Sequence, residues 1–310
     1  MTRVLAAVDR YQAAPEPEPV QPPEEVARKG SARLLSYGGT GRPVLFVPSL
    51  VNPPYILDLG ERSLLRWLAG EGFAVHLIDW GRPEAAERGY ALAEMVTERL
   101  EPLAAKLEDP VLAGYCLGGT LAIAAAQRIK AAALLTIAAP WNMAAYPPEQ
   151  RQEVSDYWQR VRPVAEAAGL VSMDLLQPAF WALDPALPVR KFERYAAMRG
   201  AEARRFERME DWANSGEPIS LPAVDDLIEG GYRDDMFMRG WQVGGERINP
   251  ARLDIPWLDI RSATDRIVPN EAAPPAPEHM TVEAGHVGMI VGSRARELLW
   301  KPMAAWLQSL

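Results

Sequence analysis

One short run of the chain carries nucleophile chemistry: Gly114-Tyr115-Cys116-Leu117-Gly118-Gly119. It lies where an apolar run ends and an Ala-rich helical pattern begins. That is the strand–turn–helix setting of a nucleophile elbow, with cysteine in place of serine. The nucleophile of an elbow occupies a strained turn that brings the residues two before and two after it close together. Glycine at 114 and 118, with Gly119 beside them, removes the Cβ atoms that would clash. At that turn the thiol stands at a helix N-terminus, whose partial positive charge favours thiolate. The Leu117 N–H points to where an oxyanion forms. A lone cysteine is more often a small buried hydrophobe; here strand, glycines and helix all agree with the catalytic setting.

An elbow nucleophile needs an acid and then a histidine later in the chain. Only His279 and His286 follow Cys116. His286, in Ala284-Gly285-His286-Val287, falls in a small-residue loop just past the last predicted strand, where sites are built in such sheets. His279 lies at the start of that strand and reads as a surface residue. His76, inside FAVHLID, precedes the nucleophile and reads as a core or supporting residue. Asp265, in the loop after the run PWLDIR, is the expected orienting carboxylate; Asp259 lies within that strand and Asp254 before it. The second oxyanion donor is expected from the loop Pro48-Ser49-Leu50-Val51-Asn52, at the Leu50 N–H, with Pro53-Pro54 holding the loop. The glycines of Tyr37-Gly38-Gly39-Thr40-Gly41 precede a strand and open no helix, so they form a turn and no nucleotide loop. The run Arg199–Arg208 reads as a solvated helix face.

These residues need a scaffold, and the pattern supplies one. Apolar runs at Pro43–Pro48, Phe73–Asp79, Pro110–Tyr115 and Ala133–Ala138 alternate with helical patterns at Glu61–Ala69, Leu92–Leu107 and Leu117–Lys130. The alternation resumes at Pro256–Arg261 and His279–Glu283 and closes with a helix over Arg294–Leu307. Near-continuous apolar strands separated by helices predict an α/β fold, a doubly wound and mostly parallel sheet. Residues 25–140 and 251–310 form its core. Residues 141–250 read as a helical insertion, with Trp141, Trp158, Trp181, Trp212 and Trp241, that makes a mobile lid over Cys116. Residues 13–25 hold five prolines and four glutamates, so residues 1–24 are expected as a disordered leader.

Composition narrows the function classes. Across 310 residues, 33 Lys+Arg against 41 Asp+Glu give a net charge of −8, which repels a phosphate backbone and argues against nucleic-acid binding. No apolar run approaches the roughly 20 residues of a membrane helix, and Val4–Val8 is too short for a signal-peptide core. One cysteine and three histidines offer no disulfide and no structural zinc site. The default compartment is the cytoplasm.

With those residues in hand, the chain resembles polyhydroxyalkanoate synthases, most closely the catalytic subunit of the two-subunit class III type, within the α/β-hydrolase superfamily. The stretches that carry the resemblance are Val47–Leu59, Arg62–Ala69, Val75–Pro83, Gly114–Thr120, Asp211–Pro218 (DWANSGEP), Asp265–Pro269 (DRIVP) and Gly285–Val287. The resemblance implies a Cys–His–Asp triad on Cys116, His286 and Asp265, and transfer of 3-hydroxyacyl groups from coenzyme A onto a growing polyester, with no cofactor or metal. Its implied partners are the 3-hydroxyacyl-CoA, the polyester chain, a synthase partner subunit or a second copy, and a polyester granule surface. Two departures stand out: Arg266 follows the acid where family members usually carry His, and the chain is short at its N-terminus. Two other readings remain: a thioesterase or polyester depolymerase using the same triad, and a catalytically silent granule- or partner-binding protein.

Overall fold

The computed structural model describes all residues except 1, 16–19, 61 and 183–185. Its centre is an eight-stranded sheet. In chain order the strands are β1 (Glu24–Lys29), β2 (Ala32–Ser36), β3 (Pro43–Val47), β4 (Ala74–Asp79), β5 (Val111–Tyr115), β6 (Ala133–Ile137), β7 (Trp257–Ser262) and β8 (Glu278–Val282). Across the sheet they run β1-β2-β4-β3-β5-β6-β7-β8. β2 is antiparallel to both neighbours, and every pairing from β4 to β8 is parallel. The hairpin β1–β2 is the part that alternation of strands and helices did not announce, because its turn joins strands directly.

Alternate strand residues feed two separate cores. Leu45, Val47, Leu112 and Leu134 face one buried cluster, and Val44, Phe46, Val111, Ala113 and Leu135 face the other. Both faces are covered, which is why these strands read as unbroken apolar runs. Helix α3 (Leu117–Arg128) is buried from Leu117 to Ala126. Its glycines and alanines let the backbone lie close against the sheet, so its composition follows from its burial. On the other face, helix α2 (Leu64–Gly70) begins at Ser63, whose hydroxyl accepts the Arg66 N–H at 3.0 Å.

The expected helix 92–107 is wound in three pieces: an α turn at Leu92–Glu94, a π-helical stretch at Met95–Leu100 and an α turn at Glu101–Ala104. Pro102 has no N–H to give the Glu98 carbonyl; the Arg99 guanidinium donates to that oxygen instead, at 3.4 Å. The same pairing of a π stretch with a following proline recurs at Arg296–Trp300 and Pro302, before the C-terminal helix Lys301–Ser309.

The expected leader needs correction. Helix α1 (Thr2–Gln12) packs on the insertion, with Ala7 and Tyr11 against Phe192, Tyr195 and Phe206. Arg10 lies 3.8 Å over the Tyr195 ring, and the Tyr11 hydroxyl donates to Asp211 at 2.6 Å. Val4, Ala7, Val8 and Tyr11 form a stripe at helical spacing; the proline-rich composition just after it masked the signal. Within that proline-rich stretch, residues 16–19 lie outside the described ones.

The insertion between β6 and β7 is helical, with α4 (Pro148–Ala168), α5 (Met173–Ala182), α6 (Leu187–Tyr195) and α7 (Gly200–Ala213). Its described tryptophans are packed into the buried clusters of the core. Trp141, Trp158 and Trp241 are buried in the same cluster as Leu45 and Leu112, and Trp158 Nε1 donates to Asp225 at 2.8 Å. Trp212 alone of the four packs toward the cluster that Cys116 borders; the Trp181 side chain lies outside the described ones. On α7, Ala203 and Phe206 turn inward toward α1, and the charged residues of Arg199–Arg208 are otherwise mostly exposed.

Asp259 on β7 is fully buried, accepting from Thr136 Oγ1 at 2.6 Å and Arg261 Nε at 2.7 Å. It therefore holds strands β6 and β7 and faces no reacting group. Asp259→Ala is expected to lower unfolding free energy by about 1.5–3 kcal/mol, the range for hydrogen bonds to a charged group, while activity per mole of folded protein stays at the wild-type level. Urea denaturation with parallel activity assays checks both.

Candidate active site

All the site residues named from the sequence lie at the C-terminal ends of the parallel strands, where open α/β sheets place ligands. Cys116 follows β5 directly, with φ 54° and ψ −131°, a conformation unfavourable for a side-chain-bearing residue. Its N–H donates to the Ile137 carbonyl at 2.9 Å and its carbonyl accepts from Gly119 N at 2.8 Å. The glycines make room. A Cβ at Gly114 would lie 2.4 Å from the Gly119 Cα, and one at Gly118 would lie 2.0 Å from the Val47 oxygen. A Cβ at Gly119 would meet Ala139 at 2.4 Å. The elbow thus packs directly on the backbone at the end of β3 and on Ala139 after β6.

Asp265 sits in the loop after β7, its side chain fully buried. Its Oδ1 accepts the N–H groups of Ile267 at 2.7 Å and Val268 at 3.0 Å. That local turn fixes the carboxylate and leaves Oδ2 for His286, whose Nδ1–H donates to it at 2.6 Å. The loops carrying the two residues are joined beyond the strand ends, where Ala263 N donates to Val282 O at 2.9 Å and Ser262 Oγ to Ala284 O. The Tyr115 ring lies 5.1 Å from the imidazole, and its hydroxyl donates to the His286 carbonyl at 3.3 Å.

Burial on its own pulls the His286 proton affinity down. Negative charge on Cys116, the hydrogen bonds to Asp265 and Cys116, and the Asp265 charge outweigh it and raise the imidazole to about 10. His286 therefore carries a proton at neutral pH as long as the Cys116 sulfur beside it is negative. The thiol is half-buried.

Tyr115, Tyr146 and Tyr232 were not singled out from the sequence, and they complete the surroundings. Burial raises all three phenols, and the charges of Cys116 and Asp265 add to it. Tyr232 is pushed up to about 12. Tyr146 donates to the Ile267 carbonyl at 2.9 Å, beside the Asp265 turn, and its ring meets Tyr232 edge-on at 5.0 Å. The three phenols thus stay protonated at neutral pH. Tyr232 belongs to the insertion, on a π-helical stretch (Asp226–Arg233), and neither spacing nor motif links it to Cys116.

Leu50 lies in the loop after β3, half-buried. Among the described residues its N–H and that of Leu117 have no hydrogen-bond acceptor, as two donors held open for an oxygen require. A cavity of about 620 Å³ borders the same loop through Leu50, Asn52 and Tyr55. Its walls are Tyr37, Trp80 and the segment 215–220 and include none of Cys116, Asp265 and His286, so it lies apart from the triad. His279 is exposed on the edge strand. His76 is half-buried with Nδ1 3.2 Å from the Ala74 carbonyl, and burial lowers its proton affinity. Neither joins the site.

Sheet order, elbow and the acid and histidine loops together define an α/β enzyme scaffold with a thiol in the nucleophile position. The chain belongs to the alpha/beta hydrolase family, whose profile matches residues 44–299. It is also similar to the poly(3-hydroxyalkanoate) polymerase subunit PhaC of Haloferax mediterranei, 28% identical over 98% of this chain and 67% of that protein. The protein of the same name from Haloarcula marismortui is 28% identical over 85% of this chain and 60% of its own length. This chain therefore spans about three fifths to two thirds of those relatives. Among solved structures, a thermophilic esterase from Thermogutta terrifontis superposes with a TM-score of 0.56 at 19% identity, over 93% of this chain and 98% of that one, a likeness of fold. No described helix is long and apolar enough to cross a membrane.

The Asp265 contact makes a direct prediction. In Asp265→Asn one of the charges and one of the hydrogen bonds that hold the proton on His286 are gone, so the ring should titrate lower than in the wild-type chain. Carbon-13 NMR of labelled histidine, followed from pH 5 to 11, reads the shift; an unmoved titration would remove Asp265 as the partner that sets the imidazole's charge.

Proposed function

We propose that this chain is an acyltransferase that carries 3-hydroxyacyl groups from coenzyme A thioesters onto a growing polyester through a thioester on Cys116. The observation that carries the reading is a cysteine, in place of a hydroxyl, on an elbow beside an Asp-held imidazole. A thioester formed there keeps a transfer potential close to that of the incoming CoA thioester, so the acyl group stays reactive toward an alcohol. The similarity to polymerases of 3-hydroxyalkanoates over most of the chain supports the acyl group and the acceptor.

The steps balance on the triad alone. The Cys116 sulfur attacks the thioester carbonyl carbon, and negative charge on the carbonyl oxygen is met by the N–H groups of Leu117 and Leu50. As the carbon–sulfur bond to coenzyme A breaks, the His286 proton passes to the departing thiolate. The neutral imidazole then takes the proton of an incoming 3-hydroxyl. The hydroxyl oxygen forms the new ester bond, and the Cys116 thioester bond breaks, returning thiolate and imidazolium. Asp265 holds Nδ1 throughout and so keeps Nε2 for both transfers.

The test is purified protein with 3-hydroxybutyryl-CoA, following coenzyme A release by free-thiol assay and the acyl product by mass spectrometry. Oligoesters of 3-hydroxybutyrate are expected. Free 3-hydroxybutyrate as the sole acyl product would make the chain a thioesterase. Cys116→Ala should reduce coenzyme A release on the order of 10³-fold or more with the fold intact by circular dichroism; wild-type turnover in that variant would end the covalent reading.

A further inference from the structure

The loop that presents Leu50 is fastened to the insertion. Asn52 takes a left-handed backbone conformation, φ 65°, and its side-chain amide reaches carbonyls at the end of α7. Nδ2 donates toward Ala213 O at 3.2 Å, Ser215 O at 3.3 Å and Trp212 O at 3.4 Å. In return Trp212 Nε1 donates to the Pro53 carbonyl at 2.8 Å, and the hydroxyls of Tyr55 and Ser215 are 3.1 Å apart. The last carbonyls of a helix have no partner within it; here Asn52 from the core shares them with Gln177, which donates to Ala213 O at 2.6 Å, and with Ser215, whose N–H donates to Trp212 O at 3.3 Å. Bonds run both ways, so loop and helix end fix each other.

That arrangement accounts for two stretches of the sequence, VPSLVNPPY and DWANSGEP. We propose that Asn52 and Trp212 are positioning residues for acyl transfer: they hold the Leu50 N–H opposite the Leu117 N–H, so that both donors meet the oxyanion. The proposal rests on the acyl-transfer reading for its substrate and on geometry for the rest. A loop without these bonds can still close around a ground-state carbonyl but no longer has its donor preplaced for the charged oxygen. The loss therefore falls on kcat and hardly on KM.

The experiment uses Asn52→Gly, which keeps the left-handed backbone at no steric cost, and Trp212→Phe, which keeps the ring and removes its N–H. Three readouts are taken on the full chain: coenzyme A release from 3-hydroxybutyryl-CoA, the acylation burst with p-nitrophenyl butyrate, and alkylation of Cys116 by iodoacetamide. Alkylation is a displacement at carbon with no oxyanion, so it reports the thiol and imidazole but not the donor. Expected are kcat and burst rates lower by about 10- to 100-fold, the scale of a donor misplaced by about 1 Å. KM and alkylation should stay within about 2-fold of wild type. Unchanged burst rates in either folded variant would overturn the proposal. So would alkylation that falls in step with the burst, since that reports general loss of the site. If the wild-type chain shows the burst but releases no coenzyme A from the hydroxyacyl thioester, the substrate reading fails while the positioning role remains readable from the ester.

Discussion

A side chain at position 118 would put its first carbon 2.0 Å from the Val47 oxygen and 2.5 Å from that of Pro48. This near-contact between the first turn of α3 and the end of β3 is the constraint on which the site depends. It brings the N-terminus of the helix after Cys116 against the start of the Leu50 loop, the two places from which the proposed oxyanion donors come. It also demands glycine at the elbow, and the strained conformation of Cys116 follows. The strain is repaid by neighbours: the Ile137 carbonyl holds the Cys116 N–H, and the strands on either side of β5 are parallel and buried on both faces. Preorganisation here is a property of the sheet as much as of the loops.

Electrostatics then divides the labour between two carboxylates on or near one strand. Asp259 is buried within β7 and satisfied by Thr136 and Arg261, and burial raises its proton affinity more than those partners lower it. Asp265, just past the strand end, spends one oxygen on backbone N–H groups and gives the other to His286. The difference is positional. A group inside a parallel strand sees neighbouring strands, whereas one on the following loop sees the loop of the next strand, and that loop carries the histidine.

Most of this could be read in the sequence because it is local. Continuous apolar runs gave the parallel strands, the glycines around Cys116 gave the elbow, and chain order gave Asp265 and His286. What stayed hidden depends on contacts far apart in the chain. Tyr232 and Cys116 are brought together only by the way the insertion folds back, and a tyrosine on an amphipathic helix has no local mark of such a role. Asn52 and Trp212 stood in stretches that carried the resemblance, but their mutual bonds appear only in three dimensions. The N-terminal helix was obscured by its neighbour: a proline- and glutamate-rich stretch cannot order itself, and its composition was extended to a preceding segment with its own apolar stripe.

The tryptophans change the picture of the insertion. A lid that swings as a body needs a weakly apolar seam, yet Trp141, Met143, Tyr146 and Phe237 share a buried cluster with Leu45, Leu112 and Leu121. A buried aromatic side chain removes about 150–250 Å² from water, and at about 25 cal/mol per Å² each such ring resists exposure by roughly 4–6 kcal/mol. Exposing Trp141 and Phe237 together would cost about 8–12 kcal/mol. Segments that contribute little to that cluster move at lower cost. The stretch 213–218 meets this condition, being mostly half-buried or exposed and attached to the core through polar bonds to Asn52 and Tyr55. Polar bonds at a partly wet seam exchange with water at small net cost. The bonds between the Leu50 loop and the end of α7 are thus ones that can open without unpacking the protein.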